Sequence, residues 1–101
     1  MVNGQEKTLL ANILVLKTLA SDEELPLNLL RRFKRLKREL FPAWKIVEEI
    51  QRKKKFNLIK CLNALESLST SHLEYPDKYI FMTEQLIDDI TNWLVKNGKR
   101  L

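Results

Sequence analysis

Residues 27–40 read LNLLRRFKRLKREL, and this stretch decides the fold class. When its residues are placed at steps of 100°, its main apolar side chains fall within about 60° of one another. These side chains are Leu29, Phe33, Leu36 and Leu40. The rest of the circumference is occupied by six cations: Arg31, Arg32, Lys34, Arg35, Lys37 and Arg38. This segregation predicts an amphipathic α-helix, which ends at Phe41 because Pro42 disfavours helical geometry in the residue before it.

The same helical period continues on both sides of this stretch. Apolar residues recur at spacings near 3.6, and the chain has only two Gly and three Pro, too few for a turn-rich β protein. The predicted helices are Glu6 to Ala20, Leu27 to Leu40, Ala43 to Lys54, Leu58 to Leu68 and Lys78 to Asn97. We therefore expect an all-α fold, a compact bundle of four to five amphipathic helices, in a single domain that spans residues 1–101. The broad apolar surface of the first helix predicts that this helix lies at the centre.

Several residues are typical of helix ends. Ser21 and Glu24 have the spacing of a capping box, in which each side chain satisfies the other's free backbone donor. Pro26 suits the first turn of the second helix. Asn57 is placed to cap the fourth helix, and Gly98 stands where a left-handed residue ends the fifth.

Composition narrows the class of protein further. No apolar run reaches the ~18 residues that a membrane-spanning helix needs. The chain lacks the basic start and small-residue cleavage site of a secretory signal peptide. Cys61 is the only cysteine, so no internal disulfide can form and a reducing compartment is favoured. We expect an intracellular protein, cytoplasmic or nuclear, with no membrane span.

Positive charge is concentrated in the middle of the chain. Twelve of the 18 Lys and Arg residues lie between Arg31 and Lys60, against only three acids, which gives this segment a net charge of +9. The whole chain carries +5, because each flank is slightly acidic. A charge block this concentrated in a folded segment produces a strong local field and favours an anionic partner.

No set of residues suits catalysis, a metal or a cofactor. His72 is the only histidine, and we expect it on an exposed connector. Together with Cys61 it cannot supply the four ligands of a zinc site, and a thiol on an apolar stripe is inert as a nucleophile. Asp88 and Asp89 are adjacent on a helix and so point about 100° apart rather than together. Two glycines cannot build a phosphate-binding loop, so we expect no enzyme and no cofactor.

The basic block is the predicted binding site. We call the following residues the basic set: Arg31, Arg32, Lys34, Arg35, Lys37, Arg38, Arg52, Lys53, Lys54 and Lys55. Phosphate contacts by such residues release counterions and give affinity without base reading. Trp44 and Phe56 lie near helix ends and are the candidate aromatic contacts for stacking on bases. The leading hypothesis is nucleic-acid binding with low sequence specificity, by a small accessory protein or a subunit of a larger complex.

Three alternatives remain open. Ser21 to Pro26 is a connection long enough for a helix-turn-helix, with the second helix as the recognition helix. A basic amphipathic helix also suits an anionic membrane surface, although its apolar face is needed for the core. Homo-oligomers are possible, because the acidic face of the last helix complements the basic face of a second copy.

A fourth alternative is a protein–protein adaptor that binds an acidic or hydrophobic segment of a partner. The sequence Lys60-Cys61-Leu62-Asn63-Ala64-Leu65-Glu66-Ser67-Leu68 is similar to a helix of the integrase-binding and elongation-factor N-terminal family of helical transcription modules. This resemblance implies a compact bundle that holds short acidic-hydrophobic peptides of disordered partners. It covers about a tenth of the chain, and the later predicted helices differ in length from those of the family. No binding residues are carried over from it.

Overall fold

α1 (Gln5–Ala20) is the helix against which most of the chain packs. The computed structural model describes residues 5–20, 24–68 and 73–98. The remaining helices are α2 (Leu27–Glu39), α3 (Phe41–Lys53), α4 (Leu58–Glu66) and α5 (Lys78–Lys96). α1 packs most extensively on α5 and also contacts α3 and α4, while α2 lies against α3 and α5. The predicted all-α bundle of amphipathic helices and the central position of its first helix are confirmed, and the described residues include no strand.

A single residue, Leu40, separates α2 from α3. Its backbone N–H still donates to the carbonyl of Leu36, and α3 begins at Phe41 rather than at the predicted Ala43. Pro42 lies in the first turn of α3, where an N–H has no intrahelical acceptor and its absence costs nothing. The proline that was predicted only to end one helix therefore also begins the next.

The other helix ends follow the prediction more closely. Asn57 caps α4 as expected, because its side-chain oxygen accepts a 2.9 Å hydrogen bond from the N–H of Lys60. α4 ends at Glu66, two residues before the predicted end at Leu68. Gly98 has a φ of +70°, the left-handed geometry predicted for the residue after α5. Ser21 lies outside the described residues, and so does its half of the capping box predicted with Glu24.

The apolar stripe of α2 is confirmed, whereas Trp44, a candidate aromatic contact, is buried. Leu29, Leu36 and Leu40 are buried, and Trp44 is only 1% exposed. The ring of Trp44 meets Phe33 of α2 edge to face, with centroids 5.2 Å apart. α3 is rotated so that Trp44 faces α1 and α2, and its ring keeps almost no exposed surface on which a base could stack.

One polar contact lies between the two longest helices. Asn12 interrupts the longest apolar run of the sequence, and its amide donates a 3.0 Å hydrogen bond to the hydroxyl of Thr83 on α5. Thr83 is fully buried and donates in turn to backbone carbonyls of its own helix. This contact satisfies both side chains, so neither carries the cost of an unpaired buried polar group.

Among the described helices, none combines the length and the apolar character needed to cross a bilayer.

Candidate nucleic-acid interface

The outer surface of α2 is exposed and basic. Arg31, Lys34 and Arg38 point away from the buried Leu29 and Leu36 and are exposed to solvent. They take part in no ion pair with any residue that the structure describes. Three cations on one face of a helix, none of them in an ion pair within the described chain, retain their attraction for an external anion.

Two other cations of α2 are held by carboxylates of the protein. Arg32 lies 2.6 Å from Asp89 of α5, and Arg35 lies 2.6 Å from Glu39 of its own helix. Glu39 also accepts a 2.7 Å hydrogen bond from the hydroxyl of Tyr79. These contacts partly neutralise the charge of Arg32 and Arg35 and occupy hydrogen-bond donors that a partner would use. The sequence did not predict the contact with Asp89, because the two residues are distant in the chain.

The pKa shifts follow from these contacts. The hydrogen bond from Tyr79, and then the one from Arg35, lower the pKa of Glu39, because both stabilise the carboxylate. The same bond raises the pKa of Tyr79. The hydrogen bond from Arg32 lowers the pKa of Asp89 in the same way. The side chains of Glu39 and Asp89 are therefore stabilised in the ionised form, which pairs with the positive charge of Arg35 and Arg32.

The second half of the basic set lies at the end of α3. Arg52, Lys53, Lys54 and Lys55 are all exposed, and only Lys53 has an ion-pair partner among the described residues, Glu49 at 3.5 Å. These cations surround the C-terminal end of the helix dipole, which is favourable for positive charge.

The turn from α3 to α4 has an unusual backbone. Lys55 has a φ of +53° and Phe56 a φ of +60°, and both are left-handed values that side chains other than glycine rarely adopt. The turn is fixed by a 2.8 Å hydrogen bond from the N–H of Phe56 to the carbonyl of Gln51. Asn57 then starts α4. The result is a fixed turn that leaves Phe56 72% exposed, so its ring is accessible to a partner.

A groove of about 380 Å³ is lined by residues of α1, α2 and α3 and by Phe56 of the turn that follows α3. Lys37 of α2 lines one side of it and Phe56, directly after Arg52 to Lys55, lines the other. Phe33 and Trp44 form part of its apolar wall, and Gln51 contributes an amide. Of the basic set, Lys37 is the member that lines this groove, and the second basic segment ends at the residue directly before Phe56.

Lys17 is a groove residue that the sequence analysis did not include. Its ammonium lies 5.9 Å from the ring centroid of Trp44 and 3.4 Å from a carboxylate oxygen of Glu48. Glu48 lies four residues before Arg52 on α3 but contacts Lys17 of α1 instead, and Arg52 has no ion pair among the described residues. Gln51 was also missed, although it lies one turn beyond Val47 and two turns beyond Trp44, and this spacing was a signal for the buried face.

An exposed apolar patch lies on α4, in the helix that directly follows the turn at Phe56. Ile59 is 70% exposed, Leu58 44% and Leu62 38%. Cys61 and Leu65 supply the buried contacts of this helix instead. Leucines at helical spacing on α4 therefore divide into a buried line and an exposed one. We call Leu58, Ile59 and Leu62 the α4 patch.

Cys61 and His72 were considered as catalytic or metal-binding residues in the sequence analysis. Cys61 is buried, and burial raises the pKa of its thiol, which disfavours the reactive thiolate. His72 lies outside the described residues. Within residues 5–20, 24–68 and 73–98, no three His, Cys, Asp or Glu side chains are grouped so that they could hold a metal ion.

No protein-family model matches this chain, and no curated protein or solved structure matches it at a significant level. The resemblance of residues 60–68 to the helical transcription modules stays a prediction. The arrangement of the basic set, the groove and Phe56 is therefore the basis on which a function can be argued.

Proposed function

We propose that the protein is a non-enzymatic module that binds nucleic acid with low sequence specificity through the basic set. The supporting observation is that Lys37 and Phe56 line the same groove. Lys37 is one of the cations of α2, and Phe56 directly follows those at the end of α3, so each basic segment has a residue in or next to this groove. A polyanion that follows this groove can contact both groups at once.

Seven members of the basic set make no ion pair within the described part of the chain. They are Arg31, Lys34, Lys37, Arg38, Arg52, Lys54 and Lys55. If each contacts one phosphate, the slope of log affinity against log salt approaches about −6 on duplex DNA and about −5 on a single strand. Arginine also offers a planar fork that matches phosphate oxygens.

The test is fluorescence anisotropy with labelled single- and double-stranded DNA and RNA across a salt series. The informative variant replaces both Arg31 and Arg38 with Glu, because each is exposed and neither is held by a carboxylate of the described chain. Arg35 is a poorer choice, since its removal would also disturb Glu39 and Tyr79. The matched control replaces Lys78 and Lys96 with Glu, which changes the net charge equally at the ends of α5.

We expect the α2 variant to lose most of its affinity and to have a flatter salt dependence, while the α5 control binds almost as the wild type does. Equal losses in both variants would mean that only net charge matters and that the basic set is not a site. If no oligonucleotide binds even at low salt, the proposal is wrong.

The α4 patch favours a second candidate function, a protein–protein adaptor. Ile59 and the neighbouring leucines expose apolar surface directly after the cations that end α3. An acidic segment with apolar anchors would complement both features, as in other complexes where a helix or extended peptide lies in a groove. Replacement of Ile59 and Leu62 by Ser should abolish binding of such a segment, whereas oligonucleotide binding should persist. Light scattering of the free protein over the same salt series detects self-association separately.

A further inference from the structure

Phe56 is the most exposed aromatic side chain among the described residues of the groove, and its position is fixed by the backbone. It occupies a left-handed conformation next to a second left-handed residue, Lys55. Such conformations are strained for residues with a side chain and persist only where neighbouring contacts enforce them. Here the hydrogen bond to Gln51 and the start of α4 at Asn57 supply that enforcement. The structure therefore holds an apolar ring in solvent at the edge of a basic groove.

The interior of the groove has the chemistry of a site for one flat, polar ring. Phe33 and Trp44 offer apolar walls, and Gln51, which is 7% exposed, offers an amide with both donors and an acceptor. Lys37 lines the same groove and supplies positive charge. The volume of about 380 Å³ lies at the lower end of the range for small-molecule pockets, which suits a single nucleotide rather than a duplex.

We propose that this groove takes one unpaired base of a single-stranded nucleic acid, stacked on Phe56 with its edge towards Gln51. Lys37 and the cations before Phe56 then contact the phosphates on either side of that base. The inference rests on the proposed function and adds a strand preference to it. In a duplex the faces of the bases are already stacked on one another, so only a single strand presents a free face to the ring.

The experiment compares a labelled single-stranded oligonucleotide with an abasic strand of the same length and charge. Three variants are measured on both strands: Phe56→Ala, Phe56→Tyr and, as the matched control, Ile59→Ala. Ile59 is as exposed as Phe56 and lies three residues away, but it does not line the groove. A second readout uses the Trp93→Phe background, in which Trp44 in the groove wall is the single tryptophan and its fluorescence reports entry of a base.

We expect Phe56→Ala to weaken binding of the normal strand by about 5- to 150-fold, the range for loss of one base–aromatic stack. Its salt slope should stay unchanged, because no phosphate contact is removed. Binding of the abasic strand should be unaffected by the substitution. Phe56→Tyr should restore binding, Ile59→Ala should match the wild type, and only the normal strand should quench Trp44.

Three results would overturn the inference while leaving the proposed function intact. They are equal binding of normal and abasic strands by the wild type, equal effects of Phe56→Ala on both strands, and tighter binding of duplex than of single strand. If neither strand binds at low salt, the proposed function fails together with the inference. Circular dichroism of each variant shows whether the helices remain folded.

Discussion

Arg32 of α2 and Asp89 of α5 are joined by a 2.6 Å contact between Nη1 and Oδ2, although 57 residues separate them in the chain. The pair is half-exposed, with side-chain exposures of 40% and 32%. It links the basic helix to the acidic face of α5, and Gln85 supports it with a 3.1 Å hydrogen bond to the other oxygen of Asp89. Arg32, a member of the basic set, therefore helps to position α2 against α5 and is not free to bind an external anion.

Replacement of Asp89 by Asn should have opposite effects on stability and on binding. Loss of the ion pair should lower the free energy of unfolding by about 1 kcal/mol or less, because solvent screens a half-exposed pair. The same change frees Arg32 for phosphate and should raise oligonucleotide affinity at low salt. Asp88→Asn is the matched control, since Asp88 is adjacent, exposed and without an ion pair in the described chain. Urea denaturation and anisotropy measure the two effects, and identical behaviour of both variants would contradict this account.

Glu39 should make stability depend on pH in the acidic range. Its pKa is lowered from an ordinary value of 4.5, so the folded state stabilises the carboxylate. This contribution is complete above the ordinary pKa and is lost as the pH falls through the lower pKa of the folded state. Wild type should therefore exceed Glu39→Gln in stability at neutral pH, and the difference should shrink towards pH 3.

Urea titrations at several pH values measure this difference. Glu84→Gln controls for removal of one negative charge, since Glu84 is exposed on α5 and has no ion pair within the described residues. A difference between wild type and Glu39→Gln that stays constant with pH would show that the contact with Arg35 and Tyr79 does not stabilise the charged form.

The parts of this structure that the sequence predicts are those encoded by local periodicity. Leu29 and Leu36 could be placed in the core because the apolar and charged faces of α2 are sharply separated. Trp44 could not, since the rotation of α3 is set by its contacts with α1 and α2, which no single helix encodes. Asp89 was read as part of an acidic face for the same reason: its partner depends on how two distant helices pack.

The backbone conformation of the α3–α4 turn could not be predicted from the sequence either. Left-handed residues are normally signalled by glycine or asparagine, yet Lys55 and Phe56 occupy these positions. The run of cations at residues 52–55 made this segment a candidate from the sequence, and the position of Phe56 near a helix end made it a candidate aromatic contact. That Phe56 and Lys37 share a groove required the fold, because their positions depend on the packing of α2 against α3.

Relief of backbone strain gives a prediction at Lys55. Lys55→Gly should leave stability unchanged or raise it by up to about 1 kcal/mol, because glycine adopts a φ of +53° without steric cost. Lys54→Gly should instead destabilise by roughly 0.5–1 kcal/mol, since Lys54 has a φ of −96° and gains nothing from glycine. Both variants lose one cation, so their oligonucleotide affinities should fall together while their urea midpoints diverge. Midpoints that move together would mean that the turn stores no strain.

Alanine substitutions of the two candidate aromatic contacts, Trp44 and Phe56, should have very different effects on stability. Trp44→Ala should lower the free energy of unfolding by about 3–5 kcal/mol, because it leaves a large cavity beside Phe33 in the core. Phe56→Ala should change it by less than about 0.5 kcal/mol, since the ring is 72% exposed. Thermal and urea unfolding followed by circular dichroism measure both values.

Any loss of binding by Trp44→Ala must therefore be compared with its folded fraction, whereas a loss by Phe56→Ala reports on the site itself. Strong destabilisation by Phe56→Ala would mean that the ring belongs to the core and would remove it as a binding residue.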